Sequence, residues 1–388
     1  MTAQPQDAVR RVAEEVARPM ADTVDRDARF PREAIDALRD AGLLSAALPS
    51  ELGGMECSVP ALAVMCTTLG RACASTGMIF AMHQAQVLCL LRHARGQVAI
   101  EAWLERAARA QWLVASATSE AGVGGDIGRS MAAVEGADPG PYRLTKLCPT
   151  LSYGCEADAI LATARRSAQA ALSDQVLVLL ERDDYSLETL GDKWDALGMR
   201  GTCSPSGRIV ANVRADHIVD EPCREVLART MVPSSHILWG SVWLGLAADA
   251  VSVAWSRLGA EKGSLDGLTV PSASNQILAE IHGQLDLLRS AVRGAATEFE
   301  QHADQWPSGR AASAYALRIR NVKLVCSQLV AGICQNALLL CGAAGYANTS
   351  EHSVNRHVRD ALSALVMVGN DRIATLNART VLLAPPEP

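Results

Sequence analysis

The sequence predicts an α+β protein that is mainly α-helical, with an N-terminal helical domain, a middle antiparallel β domain and a C-terminal four-helix bundle. Apolar residues recur every three or four positions in the first third of the 388-residue chain and again toward its end. Between these parts lie short runs rich in Val, Ile, Leu and Thr, separated by Gly, Pro and Asp. We therefore expect domains at residues 1–111, 112–222 and 223–388.

The N-terminal domain is predicted to consist of several helices. Apolar residues step by three or four along one face of the first helix, at Val9, Val12, Val16, Met20 and Val24. Pro31 starts the next helix and Gly42 ends it. Two apolar helices follow at about residues 59–75 and 77–94. The second contains His83 and two glutamines, so we expect a buried helix that is too short and too polar to cross a bilayer.

The middle domain contains five short runs with strand character. They are "WLVASATS", "YRLTKLCPTLSY", "DAILATARR", "DQVLVLLER" and "GRIVANVRAD". No long helical segment connects them, so a mostly antiparallel arrangement is expected. Four long amphipathic segments follow at about residues 233–260, 271–303, 311–341 and 355–383. Long helices with short links predict a four-helix bundle.

Charge and cysteine content exclude some classes of function. The net charge is −6 and no basic block occurs, which argues against a nucleic-acid partner. Eleven cysteines are scattered singly, without a CxxC pair. This distribution favours free thiols in a reducing cytoplasm, and it predicts neither a disulfide framework nor a metal site. We expect a cytoplasmic protein without a membrane partner.

The stretch "SATSEAGVGGDIGRS", residues 116–130, contains four glycines after an apolar run. So bare a backbone could lie against phosphates or a planar ring. The spacing does not fit G-x-G-x-x-G, and the stretch does not begin a βαβ unit, so a Rossmann nucleotide site is disfavoured. A turn that only reverses the chain is the alternative interpretation.

Five motifs together carry a family resemblance. In chain order they are "FPREAIDALRDAGLLSAALPSELGG", "ASATSEAGVGGD", "LSYGCEADAILATAR", "WDALGMRGT" and "AAGYANTSEHSVNRHVRDAL". From about residue 9 to residue 383 the chain resembles the acyl-CoA dehydrogenase family. The resemblance implies FAD between the β domain and the bundle, in a homodimer or homotetramer. It also implies oxidation at the CH–CH group of an acyl thioester carried by CoA or an acyl carrier protein, with an electron-transfer flavoprotein or oxygen as electron acceptor.

The resemblance also assigns residues to the cofactor. In the family, hydroxyl and amide donors at Thr118 and Ser119 would face the flavin's pyrimidine edge, while Gly124 and Gly125 would lie along the thioester's carrier arm. Glu120 and Asp126 are expected to fix the loop. The cofactor-binding set implied in this way is Thr118, Ser119, Gly124, Gly125, Leu151, Ser152, Gly342, Ala343 and Asn370.

One departure from the family concerns the FAD diphosphate. An Arg-x-x-Phe-Gly element of the family corresponds to "AEKGSLDG", with Glu261 at the Arg position and Ser264 at the Phe position. A carboxylate near a diphosphate is unfavourable, although Lys262 could restore a positive charge. We therefore expect weaker FAD binding or a different path for the cofactor.

A second departure concerns the catalytic base. The family's glutamate just before a glycine corresponds to Val368, and the alternative glutamate position corresponds to Ser235. Loss of a positioned base costs desaturation a factor of about 10² to 10⁴. His236 is the nearest titratable candidate for the base, and Asp371 lies about one helical turn beyond Val368. The alternative for His236 is a hydrogen bond to backbone.

Three functions are compatible with these residues. The first is a flavin-dependent oxidoreductase of the acyl-CoA dehydrogenase type. The second is a monooxygenase on the same fold, which uses reduced flavin and oxygen and needs no base for an α-proton. The third is a flavin-free, non-catalytic binding protein.

Overall fold

The computed structural model describes residues 4–137, 140–191, 193–261, 273–302 and 305–383. It confirms the predicted class, with an N-terminal helical region, a middle β region and C-terminal helices. The N-terminal helices are α1 (Pro5–Arg11), α2 (Arg18–Arg26), α3 (Arg32–Asp40), α4 (Val59–Ala72), α5 (Ala74–His93) and α6 (Val98–Ala110). A π-helical segment, Val12–Ala17, joins α1 to α2.

Helix α5 is buried over most of its length. By length and composition Ala74–His93 is long and apolar enough to cross a membrane, so the expectation that it is too short and too polar was wrong. However, 89% of the most apolar stretch of this helix is buried inside the protein. Two other described segments, Cys223–Gly259 and Gly309–Tyr346, are also long and apolar enough to cross a membrane. Their most apolar stretches are 78% and 50% buried inside the protein. Packing in the interior therefore accounts for the apolar character of α5.

The β domain consists of two small sheets. The strands are β1 (Val114–Ala117), β2 (Val134–Glu135), β3 (Tyr142–Cys148), β4 (Ala159–Arg165), β5 (Gln175–Glu181), β6 (Tyr185–Leu190) and β7 (Ser206–Val213). One sheet has the order β1-β4-β5 and the other β2-β3-β7-β6. Strands β1 and β4 pair in parallel, whereas the remaining pairs are antiparallel, as expected for most of the domain.

Burial in the strands follows their side-chain period. In β3 and β7 buried and exposed residues alternate, so that sheet is covered on one face. Strands β4 and β5 are buried at all positions except the last. The three-stranded sheet is therefore central, and its strand β1 leads directly into the glycine-rich stretch.

The C-terminal region contains the predicted bundle with one correction. Its helices are α7 (Cys223–Val226), α8 (Val232–Glu261), α9 (Ala273–Gln301), α10 (Gly309–Tyr346), α11 (Asn355–Val366) and α12 (Asn370–Thr380). The segment 355–383, predicted as one helix, is two helices. Val368 and Gly369 have φ values of 61° and 63°, which interrupts the helix between α11 and α12.

Helices α4 and α8 meet at bare backbone. A Cβ on Gly245 would lie 2.1 Å from the carbonyl oxygen of Thr67, and one on Gly70 would lie 2.4 Å from that of Val242. Both distances are shorter than a van der Waals contact, so the two helices can approach this closely only with glycine at these positions. This contact joins the N-terminal helices to the bundle.

We predict that Gly245→Ala lowers the free energy of unfolding by about 2 kcal/mol or more, because the added methyl group would push α4 away from α8. Gly283→Ala in α9 is the matched control, since nothing lies within 4 Å of its Cβ position. The control should stabilise the fold by about 0.5 to 1 kcal/mol. Urea denaturation measures both, and equal effects would contradict the close approach.

Candidate functional site

Glu120 fixes the two ends of the glycine loop, defined here as residues 121–129. Its carboxylate is buried and accepts hydrogen bonds from the hydroxyl of Ser130 at 2.6 Å and from the backbone N–H of Met131 at 2.8 Å and of Ala132. Residue 120 is thereby tied to residues 130–132, and the loop between them must project. The expectation that Glu120 fixes the loop is confirmed.

Lys146 in β3 completes this arrangement. Its ammonium group is fully buried and donates to the Glu120 carboxylate at 2.6 Å and to the Thr163 carbonyl at 2.9 Å. Burial would raise the pKa of Glu120, but hydrogen bonds from Lys146 and Ser130 outweigh it and lower the pKa. The carboxylate therefore stabilises the fold above its ordinary pKa, and that contribution is lost as the pH falls through the lowered value.

Asp126 serves the loop as well. Its Oδ1 accepts from the backbone N–H of Gly128 at 3.0 Å. Gly124 and Gly125 beside it are exposed and have φ values of 57° and 78°. The loop thus presents bare backbone in a conformation that other residues rarely adopt.

The predicted flavin-facing hydroxyls lie at the ends of β1 and β3 and are half-buried. Ser119 Oγ donates to the carbonyl of Thr150 at 2.5 Å, which joins the two segments. Ser152 Oγ accepts from Ser204 Oγ at 2.8 Å, and Thr118 Oγ1 lies 3.4 Å from another serine hydroxyl. We call these three half-buried hydroxyls the polar edge.

Leu151 lies differently from its neighbours. Its side chain is buried among Gly154, Leu187 and Gly207 inside the β domain. Its N–H donates to the carbonyl of Pro205 at 3.0 Å. Its carbonyl accepts from the N–H of Gly154 at 3.4 Å, so both backbone groups of Leu151 are engaged within the β domain.

The bundle meets the glycine loop at the start of α12. A Cβ on Gly125 would lie 2.6 Å from a guanidinium nitrogen of Arg372, and one on Gly124 would lie 3.9 Å from another. The residues before α12 are Val368, which is 46% exposed, and Gly369. The loop, the first turn of α12 and the α11–α12 link thus form one boundary between the β domain and the bundle.

Asn370 is held inside the bundle by its side chain. Its Oδ1 accepts from the ammonium group of Lys323, and its Nδ2 donates to Ser327 Oγ at 3.0 Å. Lys323 also donates to the carbonyl of Ala364 at 3.1 Å, and burial lowers the pKa of Lys323 to about 8. Both ends of the Asn370 amide are occupied, so its side chain anchors α12 on α10.

His236 does not have the properties of an effective base. It is buried in α8, and its Nδ1 donates to the carbonyl of Ile319 in α10 at 3.2 Å. Burial lowers the pKa of His236 to about 4. An imidazole of so low a pKa is neutral at pH 7 but is a weak proton acceptor. The interpretation of a backbone-bonded helix histidine fits the structure.

The two expected glutamate positions carry no carboxylate. Val368 is a half-exposed aliphatic residue, and Ser235 is buried in α8. Among the nearest acids, Asp371 is exposed. Asp360 is buried and accepts from the backbone N–H of Met199 at 2.6 Å, so its carboxylate is already engaged. Burial raises the pKa of Asp360 despite the opposing charge of an arginine nearby.

Gly342 and Ala343 lie far from the other predicted cofactor residues within one chain. They are exposed near the end of α10, where Gly342 breaks the helix with a φ of 58°. They follow Lys323 by 19 or more residues, which is about 28 Å of helix. A single chain therefore does not bring them to the boundary at Arg372. Glu261 ends α8, whereas Lys262 and Ser264 lie outside the described residues.

His83 is satisfied inside the N-terminal domain. Its Nε2 donates to the carbonyl of Leu44 at 2.7 Å, and its Nδ1 accepts from the N–H of Val114 at 3.0 Å. Burial lowers the pKa of His83 to about 4, so the neutral ring connects α5 to β1.

One group of possible metal ligands occurs in the described chain, although none was expected from the sequence. Glu181, Asp184 and His217 bring ligand atoms within 4.8 Å of one another. Glu181 already pairs with Arg106 at 3.1 Å and Arg214 at 3.4 Å. These two ion pairs explain the position of Glu181 without a metal.

Sequence reasoning missed Arg372 and Lys323. Arg372 follows Val368 by four residues. On a continuous helix this spacing would place both side chains on the same face, which is the signal that could have identified Arg372. Lys323 is the last charged residue of α10 before a long apolar run, and a charge beside such a run is a signal for a buried polar contact.

We predict that Glu120→Gln lowers the free energy of unfolding by about 3 to 5 kcal/mol, because Lys146 is left as a buried, unpaired charge. A double variant that also carries Lys146→Met should recover part of this loss. Glu188→Gln is the control, since Glu188 pairs with Arg208 on the surface and should change stability by less than about 1 kcal/mol. Urea denaturation measures all three, and a Glu120 variant that matches the control would contradict the assignment.

Comparison with known proteins agrees with this architecture. The acyl-CoA dehydrogenase N-terminal domain matches residues 2–132, and the C-terminal domain matches residues 227–383. The human mitochondrial short-chain specific acyl-CoA dehydrogenase is 26% identical, covering 94% of this chain and 85% of that protein. Amino sugar nitrososynthase DnmZ of Streptomyces peucetius is 27% identical, covering 87% and 82%.

Solved structures share the fold. FMN-bound TdsC from Paenibacillus sp. A11-2, a dibenzothiophene monooxygenase, superimposes with a TM-score of 0.84 at 21% identity, covering 97% of this chain and 96% of that one. The similar proteins thus include both dehydrogenases and a monooxygenase. They support an oxidoreductase with a flavin cofactor, which is FAD in the family. The chain belongs to the acyl-CoA dehydrogenase family.

Proposed function

We propose that this protein is a flavin-dependent monooxygenase built on the acyl-CoA dehydrogenase fold. The observation that carries the proposal is the α11–α12 link, where Val368 and Gly369 face the boundary without a carboxylate. Ser235, the other expected position, offers only a hydroxyl. A dibenzothiophene monooxygenase has the same fold, so the fold is compatible with oxygenation.

The lack of a carboxylate at Val368 and Ser235 favours oxygenation over desaturation. Desaturation of an acyl thioester begins with removal of a weakly acidic α-proton, which needs a positioned proton acceptor. Valine cannot accept a proton, and the low pKa of His236 leaves it a poor substitute. Oxygen transfer from a reduced flavin has no such requirement.

The residues at the boundary fit a flavin. Thr118, Ser119 and Ser152 offer half-buried hydroxyls along the polar edge, and they would hold the rim of the ring by hydrogen bonds. Gly124 and Gly125 add no side chain at this boundary, and the guanidinium of Arg372 lies against Gly125. When bound, reduced flavin supplies two electrons to oxygen, so that one oxygen atom enters the substrate and the other leaves as water. A separate reductase would supply the reduced flavin.

Acyl-thioester oxidation is the second candidate. Family membership and the 26% identity to a short-chain acyl-CoA dehydrogenase favour it. It would use a CoA or carrier-protein thioester and an electron-transfer flavoprotein. It would also need a base that we do not find at either expected position in the described residues.

We further propose that the cofactor site is completed by a second copy of the chain. Gly342 and Ala343 are exposed and about 28 Å along α10 from Lys323, so they would serve a flavin bound by a neighbouring protomer. Leu339 and Tyr346 near them are 69% and 76% exposed, which supports an apolar contact. A homodimer or homotetramer is the proposed assembly.

A cytoplasmic location is proposed too, because the eleven cysteines form no disulfide.

The oxygenase proposal is tested with the purified full-length chain loaded with FAD or FMN. Under anaerobic conditions butyryl-CoA should leave the visible flavin band unchanged, because no base removes the α-proton. With a flavin reductase and air, indole or dibenzothiophene should be oxygenated, with oxygen uptake that matches product. Oxygen electrode traces and mass spectrometry measure this.

Two results would contradict the proposal. Bleaching of the flavin by butyryl-CoA, with formation of the unsaturated thioester, would establish the dehydrogenase instead. A chain that takes up neither FAD nor FMN would favour the flavin-free binding protein.

The shared-site proposal predicts that Leu339→Asp reduces the mass of the assembly and weakens flavin binding together. Burying a charge in an apolar contact is unfavourable, so protomers should separate. Val98→Asp, at a position 78% exposed in α6, is the control and should change neither property. Light scattering and flavin titration provide the measurements. A monomeric wild-type chain with full flavin affinity would refute the shared site.

A further inference from the structure

Arg372 stands out because its charge is not neutralised by any side chain that the structure describes. It lies in the first turn of α12 and is half-buried, yet its guanidinium makes no hydrogen bond or ion pair within the described ranges. A cation in the first turn of a helix is unfavourable because the partial positive charge of the macrodipole is located there. An anion that approached from outside would stabilise an arginine in this position.

The acids near Arg372 do not supply that anion. Asp371 is its exposed neighbour in the chain, and no ion pair within 4.0 Å joins the two side chains in the described structure. Asp126 in the glycine loop accepts from the N–H of Gly128 instead. Neither acid forms an ion pair with Arg372 within 4.0 Å among the described residues.

The glycine loop supplies donors beside the same guanidinium. A Cβ on Gly125 would lie only 2.6 Å from Arg372 Nη1, so the guanidinium occupies space that a side chain would take. Within the described residues, the N–H groups of Gly124 and Gly125 donate to no acceptor. Both glycines have positive φ values, 57° and 78°, and the guanidinium lies beside the same two residues. One positive charge and two backbone donors without an acceptor therefore occur in this part of the described structure.

We infer that Arg372, together with the N–H groups of Gly124 and Gly125, binds a phosphate group. A guanidinium fork matches two phosphate oxygens, and backbone N–H groups satisfy a third. The inference rests on the same boundary as the proposed function and specifies the chemistry of its ligand. The phosphate belongs either to the flavin nucleotide or to a phosphorylated substrate, and the two sources are separable by experiment.

The test measures binding and does not depend on turnover. The full-length apoprotein is titrated with riboflavin, FMN and FAD by flavin fluorescence, and with CoA and dTDP by calorimetry. Removal of a charge-assisted contact should weaken binding by about 10- to 100-fold. If the cofactor phosphate is the ligand, Arg372→Gln weakens FMN and FAD binding by this factor but leaves riboflavin unchanged.

If the substrate phosphate is the ligand, Arg372→Gln leaves the binding of all three flavins unchanged and weakens the binding of CoA or dTDP. In either case Arg372→Lys should fall between wild type and Arg372→Gln, because it keeps the charge but loses the fork. Arg379→Gln is the matched control, an exposed arginine near the end of the same helix. Circular dichroism and thermal unfolding establish that each variant is folded.

Unchanged dissociation constants for FMN, FAD, CoA and dTDP in Arg372→Gln would overturn the phosphate site, as would failure of the wild-type chain to bind any of them. An equal loss of affinity in Arg379→Gln would also overturn it, because the effect would then come from the change in net charge and not from a contact of Arg372. These outcomes are independent of the oxygen-uptake experiment. A phosphate site without oxygenation, or oxygenation without this phosphate site, can therefore be recognised.

Discussion

The buried ion pair between Glu120 and Lys146 sets the position of the glycine loop. Because that carboxylate also accepts from Ser130 and from two backbone N–H groups, both ends of the loop are tied to the β domain at one residue. An ion pair removed from water keeps its geometry only when its remaining hydrogen-bonding capacity is filled, which is the case here. The bare backbone at Gly124 and Gly125 therefore projects toward α12 in a fixed place.

The bundle contributes the opposite side of that boundary. Lys323 holds Asn370 and the end of α11, which fixes where α12 begins and where Arg372 lies. The link before α12 carries Val368 with a φ of 61°, a conformation that is costly for a β-branched residue. Strain of this kind persists where neighbouring structure imposes it. The boundary thus combines polar hydroxyls, bare backbone and a cation, but it lacks a proton acceptor at the two positions where the family carries one.

The domain order could be read from the sequence because helical and strand periods change sharply near residues 112 and 222. The role of Glu120 as a loop anchor followed from the match of its motif to the family. The break at Val368 was missed because its apolar neighbours continue the helical pattern, and only backbone dihedrals reveal it. Arg372 was missed because its significance depends on Gly125, which is distant in sequence. The separation of Gly342 from Asn370 could not be predicted from the sequence, because it depends on the length and direction of α10 in the folded protein.

The central claim is that no group at this boundary accepts a proton from the α-carbon of a thioester. Incubation of the flavin-loaded protein with butyryl-CoA in deuterium oxide, followed by mass spectrometry of the recovered thioester, tests it most directly. We predict no deuterium at the α-carbon beyond that found without protein. Incorporation of deuterium at a rate that depends on protein concentration would contradict the claim, because it would require a base that the structure does not place there.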